Sequence, residues 1–295
     1  MLRNIDLKRL KLFKQVADCG GLSAAETSLN INLPAISSHL TALETSLGLR
    51  LCERGRKGFR LTSEGQSVLT ACNRLFSALE DFHAEVSAVN DKVSGHLRIG
   101  IVDNTTTDKN CDVINALEQL KSQSRDLEIN IDIDKPFELE RAVIDEKLDI
   151  AIGPFHITHP AIDQFALYRE RVSLFAGSTH KIFKSNQPVL LTDLIGLDYV
   201  TRGYLRESQV VEQHVSLNSC ASAQSLEGIA MLLLTGNYLG YLPDHYALSG
   251  TFHGTLRAVM PDTFSYEAEF KAITRKNKPH SRSVSALLKL LVNKE

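Results

Sequence analysis

Three short helical patterns crowd into residues 1–48, cut by Gly20-Gly21 and by Asn30-Ile31-Asn32, and they constrain this chain more than any other feature. Leu7, Leu10, Phe13 and Ala17 recur at helical spacing, with Lys8, Lys11 and Lys14 on other faces, and the glycine pair suits a C-cap. In residues 22–29, Ser23 stands three before Glu26, the spacing of a capping box, and Ala24-Ala25 lets another helix approach closely. Asn32 is placed to cap a third helix. Pro34 then falls in its first turn, where a missing N–H costs nothing. Ile36, Leu40, Leu43 and Leu47 make the apolar stripe of that helix, Gly48 closes it, and Pro34, Ser37, Ser38 and Thr41 face the other way. Two short helices around a tight turn fit a recognition helix in a DNA major groove, or else a small helical hairpin packed in a core.

The next segment favours the first reading. Arg54, Arg56, Lys57 and Arg60 alternate with Gly55 and Gly58 between two short apolar stretches. The pattern predicts a β-hairpin wing with a cationic tip, able to neutralise phosphates without reading bases. Charge agrees: residues 1–62 hold ten Lys/Arg against five Asp/Glu, whereas the remainder holds 23 against 30. A basic head on an acidic body suggests a polyanion-binding module joined to something else.

Asp6, Leu7, Leu10, Phe13, Ala24-Ala25, Pro34-Ala35, Ser37, Leu43-Glu44, Leu47-Gly48, Arg50-Leu51, Arg54, Leu61-Thr62 and Glu64-Gly65 follow in order. On these residues the segment resembles the N-terminal domain of LysR-type transcriptional regulators. The resemblance implies a winged helix-turn-helix over residues 1–62. It directs Ser23, Leu33, Pro34, Ser37, Ser38, His39, Thr41, Arg54, Arg56 and Lys57 toward DNA. Two positions depart from the family: Leu33 stands where Gln is usual, and Ser38 where Arg is frequent. Gln and Arg make bidentate contacts to base edges, which Leu33 cannot make. His39, at the edge of the exposed face, is open to two readings, a contact to phosphate or base and plain exposure.

Ser63 and Gln66 repeat the capping-box spacing, and Val68, Cys72, Leu75, Leu79, Phe82, Val86 and Val89 recur at alternating spacings of four and three, with Val93 the weakest member. Such a stripe faces another helix or is buried against its own domain. The LysR resemblance implies the first, a linker helix over residues 63–93 that dimerises the heads. Two recognition helices then read the half-sites of an interrupted palindrome in double-stranded DNA. A homodimer or homotetramer is expected, since many relatives are tetramers.

From residue 94 the pattern changes. Predicted strands at 97–102, 127–133 and 149–153 alternate with helices at 112–123 and 138–146, which implies a parallel sheet. A second such group covers 162–265, with strands at 172–176, 197–201 and 238–242 and a helix at 225–234. A strand at 269–275 returns to the first group, and a terminal helix covers 283–291. Leu148-Asp149, Ala151-Ile152 and Gly236 with Gly240-Tyr241-Leu242-Pro243 make the region similar to the LysR-type effector domain, itself like a periplasmic binding protein. The expected fold class is therefore α+β and multidomain: a winged helix-turn-helix, a linker helix and a two-lobed α/β effector domain over 94–295. Lobe 1 spans approximately 96–160 and 266–295, lobe 2 approximately 161–265.

Ligands of such sheets sit beyond the carboxyl ends of the strands. That places Asn104, Thr105, Thr106, Pro136, Phe137 and Phe155 of lobe 1, and Thr201, Arg202, Gly203 and Tyr204 of lobe 2, around an effector. Arg202 reads either as the partner of an anionic effector or as an exposed loop arginine.

Other chemistries find little support. The five cysteines are scattered, with no CxxC pair. His156 and His159 have no acidic or cysteine partner near in sequence, and Pro160 follows, so no metal site is expected. Cys220, beside Ser219, reads either as a reactive thiol or, more commonly, as a small packed cysteine. No nucleophile elbow, P-loop or dinucleotide fingerprint occurs, so neither catalytic residues nor cofactors are expected. The N-terminus is too charged for a signal-peptide core, and no apolar run approaches the ~18 residues of a membrane span. The expectation is a cytoplasmic, sequence-specific transcription regulator that answers to a small-molecule effector and contacts RNA polymerase. Two alternatives stand beside it: a catalytic α/β body fused to a DNA-binding head, and a constitutive architectural DNA binder.

Overall fold

The computed structural model describes residues 4–55, 58–88, 95–124, 126–156, 159–184, 187–203 and 215–292. The chain forms two units: Met1–Asp91 with Asp145–Lys147, and Lys92–Ile144 with Leu148–Glu295.

In the first unit, helices α1 (Asn4–Asp18), α2 (Leu22–Leu29) and α3 (Leu33–Leu47) precede a hairpin of β1 (Cys52–Gly55) and β2 (Gly58–Leu61), and α4 (Ser63–Ala88) follows. Phe13, Val16, Ala25, Ile36, Leu40 and Leu43 are fully buried in one core, so the apolar periodicities point where their spacing predicted. Asn32 caps α3 by accepting the Ala35 N–H at 3.0 Å. Gly48 ends it at φ 66°, a left-handed conformation that glycine adopts without strain.

Both expected capping boxes are displaced. Gly21, not Ser23, precedes α2, and Ser23 lies exposed inside the first turn. Glu26 instead accepts the Leu33 N–H at 2.9 Å, serving a donor that the start of α3 leaves unpaired. At α4 the cap is Thr62, whose Oγ1 accepts the Gly65 N–H at 2.9 Å and donates to the Arg50 carbonyl at 2.6 Å. Gly65 shows why this junction is tight: a Cβ there would lie 1.9 Å from the Leu51 carbonyl oxygen.

The heptad stripe of α4 splits in two. Cys72 is buried in the head core, with Val68 and Leu75 packed against it, because the first turns of α4 close that core together with Leu69. This half corrects the expectation of a continuous dimer seam. Beyond it, Leu79, Phe82 and Val86 are exposed on the single chain. Val89 and Val93 lie outside the described residues.

The second unit contains β3 (Gly95–Ile101), β4 (Leu127–Ile133), β5 (Ile150–Gly153), β6 (Ile162–Gly177), β7 (Asp198–Arg202), β8 (Asn218–Ala223), β9 (Leu239–Pro243), β10 (Leu256–Ala258) and β11 (Ser265–Arg275). Among the described residues its helices are α5 (Val113–Gln123), α6 (Pro136–Ile144), α7 (Leu226–Leu234), α8 (Asp244–Ala247) and α9 (Arg282–Val292). The strands join one sheet in the order β4-β3-β5-β11-β6-β9-β7-β8, with β10 on β6. Parallel pairs at each end belong to separate lobes, and β6 and β11 run antiparallel between them. β6 is 16 residues long, so the strand expected at 172–176 is only its end. Lobe 1 packs around Leu97, Ile99, Ile150 and Ile152, and lobe 2 around Leu174, Leu194, Leu239 and Tyr241. Neither β8 nor β10 was expected, since Asn-Ser-Cys-Ala-Ser-Ala in β8 carries no strong apolar signal.

Candidate nucleic-acid interface and interlobe site

Pro34, Ser38, His39 and Thr41 are exposed on α3, while Leu33 and Ser37 are half-buried. His39 borders a cavity of about 620 Å³ that Lys8, Arg9 and Lys11 of α1 also line, which sets it beside positive charge. Arg54 departs from its expected role at the wing. Its Nη2 pairs with Glu44 Oε2, its Nη1 donates to the Ser37 carbonyl and hydroxyl, each at 3.2 Å, and its Nε donates to Cys52 Sγ at 3.1 Å. A guanidinium with these bonds braces the hairpin against α3 and is not a loose phosphate contact. Glu44 completes the brace, its Oε1 accepting the N–H of Leu51 at 2.8 Å and of Cys52 at 3.3 Å. Sequence reasoning did not place Glu44 in the site, although the pairing of Leu43-Glu44 with Arg54 in the family pattern was the available signal. Arg50 and Arg60 are exposed, and Arg56 and Lys57 lie outside the described residues.

In the body, the loop after β3 reaches across to lobe 2. Asp103 Oδ1 accepts Arg202 Nη2 at 2.7 Å, and Asp103 Oδ2 accepts the Leu226 N–H at 2.8 Å and Asn104 Nδ2 at 3.3 Å. Ser225 caps the same helix, accepting the Gly228 N–H at 3.2 Å. A lobe 1 carboxylate thus lies at the N-terminus of α7 beside a guanidinium, a combination that selects anions. Arg202 is only 8% exposed, which removes its reading as an exposed loop arginine.

The other expected effector residues divide. Asn104 and Thr201 are half-buried, and Thr106 and Gly203 are exposed. Thr105 is buried, as is Pro136 at the start of α6, and the adjacent Phe137 is exposed. Phe155 is a correction: it is 1% exposed in the lobe 1 core and offers no surface to a ligand, because the chain turns inward after Gly153. Tyr204 lies outside the described residues.

Asp103 belongs to the 103–107 strand end that the sequence places at the ligand side, but sequence reasoning gives it no role there and misses a second group from distant segments. Thr107 Oγ1 lies 2.7 Å from His245 Nδ1, and His245 Nε2 lies 2.8 Å from Glu170 Oε1. Asp108 Oδ2 is 3.9 Å from the same Nε2. Burial pushes the Glu170 carboxyl above the usual carboxylate range, while its hydrogen bond to His245 pulls the other way. No spacing in the sequence announces this group. His156 and His159 are both exposed, and His159 Nδ1 accepts its neighbour's N–H, from Ala161 at 3.1 Å. Cys220 is exposed on β8 and so is not the packed cysteine expected, whereas burial raises the Cys72 thiol to about 11. Among the described residues no helix is long and apolar enough to cross a membrane.

Comparison with known proteins matches both units. Residues 7–66 fit the model of the bacterial regulatory helix-turn-helix protein, lysR family, and residues 90–294 fit the LysR substrate binding domain. The HTH-type transcriptional activator BauR of Pseudomonas aeruginosa is 37% identical over 276 residues, covering 93% of this chain and 90% of that protein. The regulator CzcR of Bacillus cereus is 28% identical over 170 residues, or 58% of this chain and 57% of that one. Among solved structures, full-length CbnR complexed with its target DNA aligns with a TM-score of 0.64 at 17% identity, covering 97% of this chain and 98% of that one. Full-length LysG from Corynebacterium glutamicum with bound effector Arg aligns with a TM-score of 0.57 at 17% identity, covering 97% and 96%.

Proposed function

This chain belongs to the LysR family of transcription regulators, and from that premise we propose how it reads DNA and senses its effector. The exposed face of α3, with Pro34, Ser38, His39 and Thr41, enters the major groove. Arg56, Lys57, Arg60 and Ser23 grip phosphates around it. Arg54 and Ser37 act one step back, holding the wing to α3. Leu33 and Ser38 supply a different base readout from the Gln and Arg usual in relatives.

The proposed division is a winged helix-turn-helix over residues 1–62, a linker helix over 63–93 and an effector domain over 94–295. Leu79, Phe82, Val86 and Val89 then form the interhelical seam of a dimer, with Val68, Cys72 and Leu75 assigned to the head itself. Two heads bind the half-sites of an interrupted palindrome in the cytoplasm, where the bound regulator meets RNA polymerase.

The observation that carries the effector reading is Asp103 lying at the α7 N-terminus beside Arg202. We infer a small anionic effector that competes with this carboxylate, with Asn104, Thr106, Thr201 and Gly203 around it and Tyr204 completing the lobe 2 side. Displacing Asp103 changes lobe packing, and the linker helices transmit the change to the spacing of the heads.

Genome-wide footprinting of the bound protein tests this function. Discrete sites with paired half-sites beside a small set of promoters are expected. Tight occupancy of unrelated sequences throughout the genome would instead support an architectural binder.

A further inference from the structure

We propose that Asp108, Glu170 and His245 form a site for a divalent cation of zinc-like chemistry at the junction of the two lobes. The inference concerns cation binding alone and stands or falls separately from the anionic effector.

The three side chains come from three parts of the fold. Asp108 ends the loop that begins at Asp103, Glu170 lies on β6, and His245 lies in α8 after β9. One ligand atom from each lies within 4.8 Å of the others. All three are shielded, with side-chain exposures of 4% for Asp108, 9% for Glu170 and 15% for His245. Two buried carboxylates facing one imidazole are costly to keep charged; the Arg202 guanidinium also acts on Glu170 but is itself paired with Asp103.

Asp108 supplies the second, independent sign. Its Oδ1 accepts the Asn110 N–H at 2.9 Å, but its buried Oδ2 accepts no hydrogen bond among the described residues. That oxygen points toward His245 Nε2 at 3.9 Å. Tetrahedral zinc, with bonds of ~2.0–2.2 Å, sets its ligand atoms ~3.4 Å apart. The observed 3.9 Å would close by about 0.5 Å, and the 2.8 Å Glu170–His245 separation would open by about 0.6 Å. Such shifts are within reach of side-chain rotation.

The donor chemistry is selective. One imidazole and two carboxylates suit zinc and its first-row neighbours better than magnesium, which prefers an all-oxygen octahedron. Three protein ligands leave a fourth position open for water. Thr107 provides the outer contact that a metal-bound histidine needs: with Nε2 on the cation, the ring proton resides on Nδ1 and is donated to Thr107 Oγ1, now 2.7 Å away. A ring proton that sits on Nε2 of the neutral imidazole in the cation-free state moves to Nδ1 as the cation binds, whereas a proton held by Glu170, or the second proton of an imidazolium, goes to solvent. A cation bound here would pin the 103–108 loop of lobe 1 to β6 and α8.

The experiment uses the full-length chain, stripped by a chelator and dialysed. Zinc is titrated in competition with a chromophoric chelator, and cobalt serves as a spectroscopic probe. The expected result is one tight zinc site per chain, a rise in Tm with zinc but not with magnesium, and visible cobalt bands of tetrahedral nitrogen and oxygen coordination. Asp108→Asn and Glu170→Gln should each weaken zinc binding by more than about 100-fold, beyond the ~10–100-fold that loss of an outer-shell contact gives. Glu170→Gln preserves an acceptor for His245, so it carries the comparison if Asp108→Asn lowers the metal-free Tm. Should both fold poorly, the wild-type cobalt spectrum decides. Failure of the wild type to compete for zinc overturns the proposal. So does undiminished affinity in the variants, or a thiolate charge-transfer band assigning the metal to cysteine.

Discussion

The head and the body each hold an arginine that the sequence offered as a free cation, and in each a carboxylate has taken it. In the head, Arg54 pairs with Glu44 ten residues away, inside one core, and both partners also brace backbone or side-chain groups of the same unit. In the body, Arg202 pairs with Asp103 ninety-nine residues away, across two lobes, where the carboxylate also occupies a helix N-terminus. The first pair has nothing to exchange with, because every partner belongs to the scaffold. The second has the form of a ligand site filled by the protein's own carboxylate. On the proposed reading, chemically similar pairs differ in role according to whether the elements they join can separate.

The largest expected effect tests the rigidity of the head. Gly65→Ala drives a methyl into the Leu51 carbonyl and should destabilise the head by about 3 kcal/mol, read as early loss of its transition in thermal melting while the body melts as before. Glu44→Ala comes next. It strands the Leu51 and Cys52 N–H groups and the Arg54 guanidinium, at about 2–3 kcal/mol, and operator affinity in a gel-shift assay should fall with it.

The body should answer differently. Arg202→Ala is expected to weaken effector binding by about 30-fold, near 2 kcal/mol, and to leave basal operator affinity unchanged. If calorimetry shows intact effector binding while basal DNA affinity drops, the two pairs are both scaffold and the contrast fails. Asp103→Asn, which keeps an acceptor for the Leu226 N–H but removes the competing charge, should tighten binding of an anionic effector by about 10-fold, near 1.4 kcal/mol. The smallest effect is a redistribution. Replacing Leu33 with Gln and Ser38 with Arg should shift the selected operator by about 1 kcal/mol per altered base pair, measured by in vitro selection. An unchanged operator would remove both positions from the base-reading face.

The head was legible because its signals are local. Ile36, Leu40 and Leu43 meet the core at helical spacing, and Asn32 and Gly48 bound α3 through contacts within a few residues. Where the reading slipped, at Ser23 and Ser63, a neighbouring element supplied a competing partner: Glu26 turned to Leu33, and Thr62 took the cap beside Gly65. The α4 stripe shows the same limit, since its periodicity states which face is apolar but not whether Cys72 meets its own domain or a second chain. The alternating strands and helices likewise announced two α/β groups, yet left β8 unseen because its polar residues carry no pattern.

What the sequence determined by itself was the identity of most elements and the family pattern, since propensity, capping and periodicity act over short stretches. What only the tertiary structure decided was which charges meet. Asp103 reaches Arg202, and Asp108 reaches Glu170 and His245, through the crossing of β6 and β11 between the lobes. Electrostatic and hydrogen-bonding partners are chosen by distance in space, and no spacing along the chain encodes a meeting between residues that lie far apart in it.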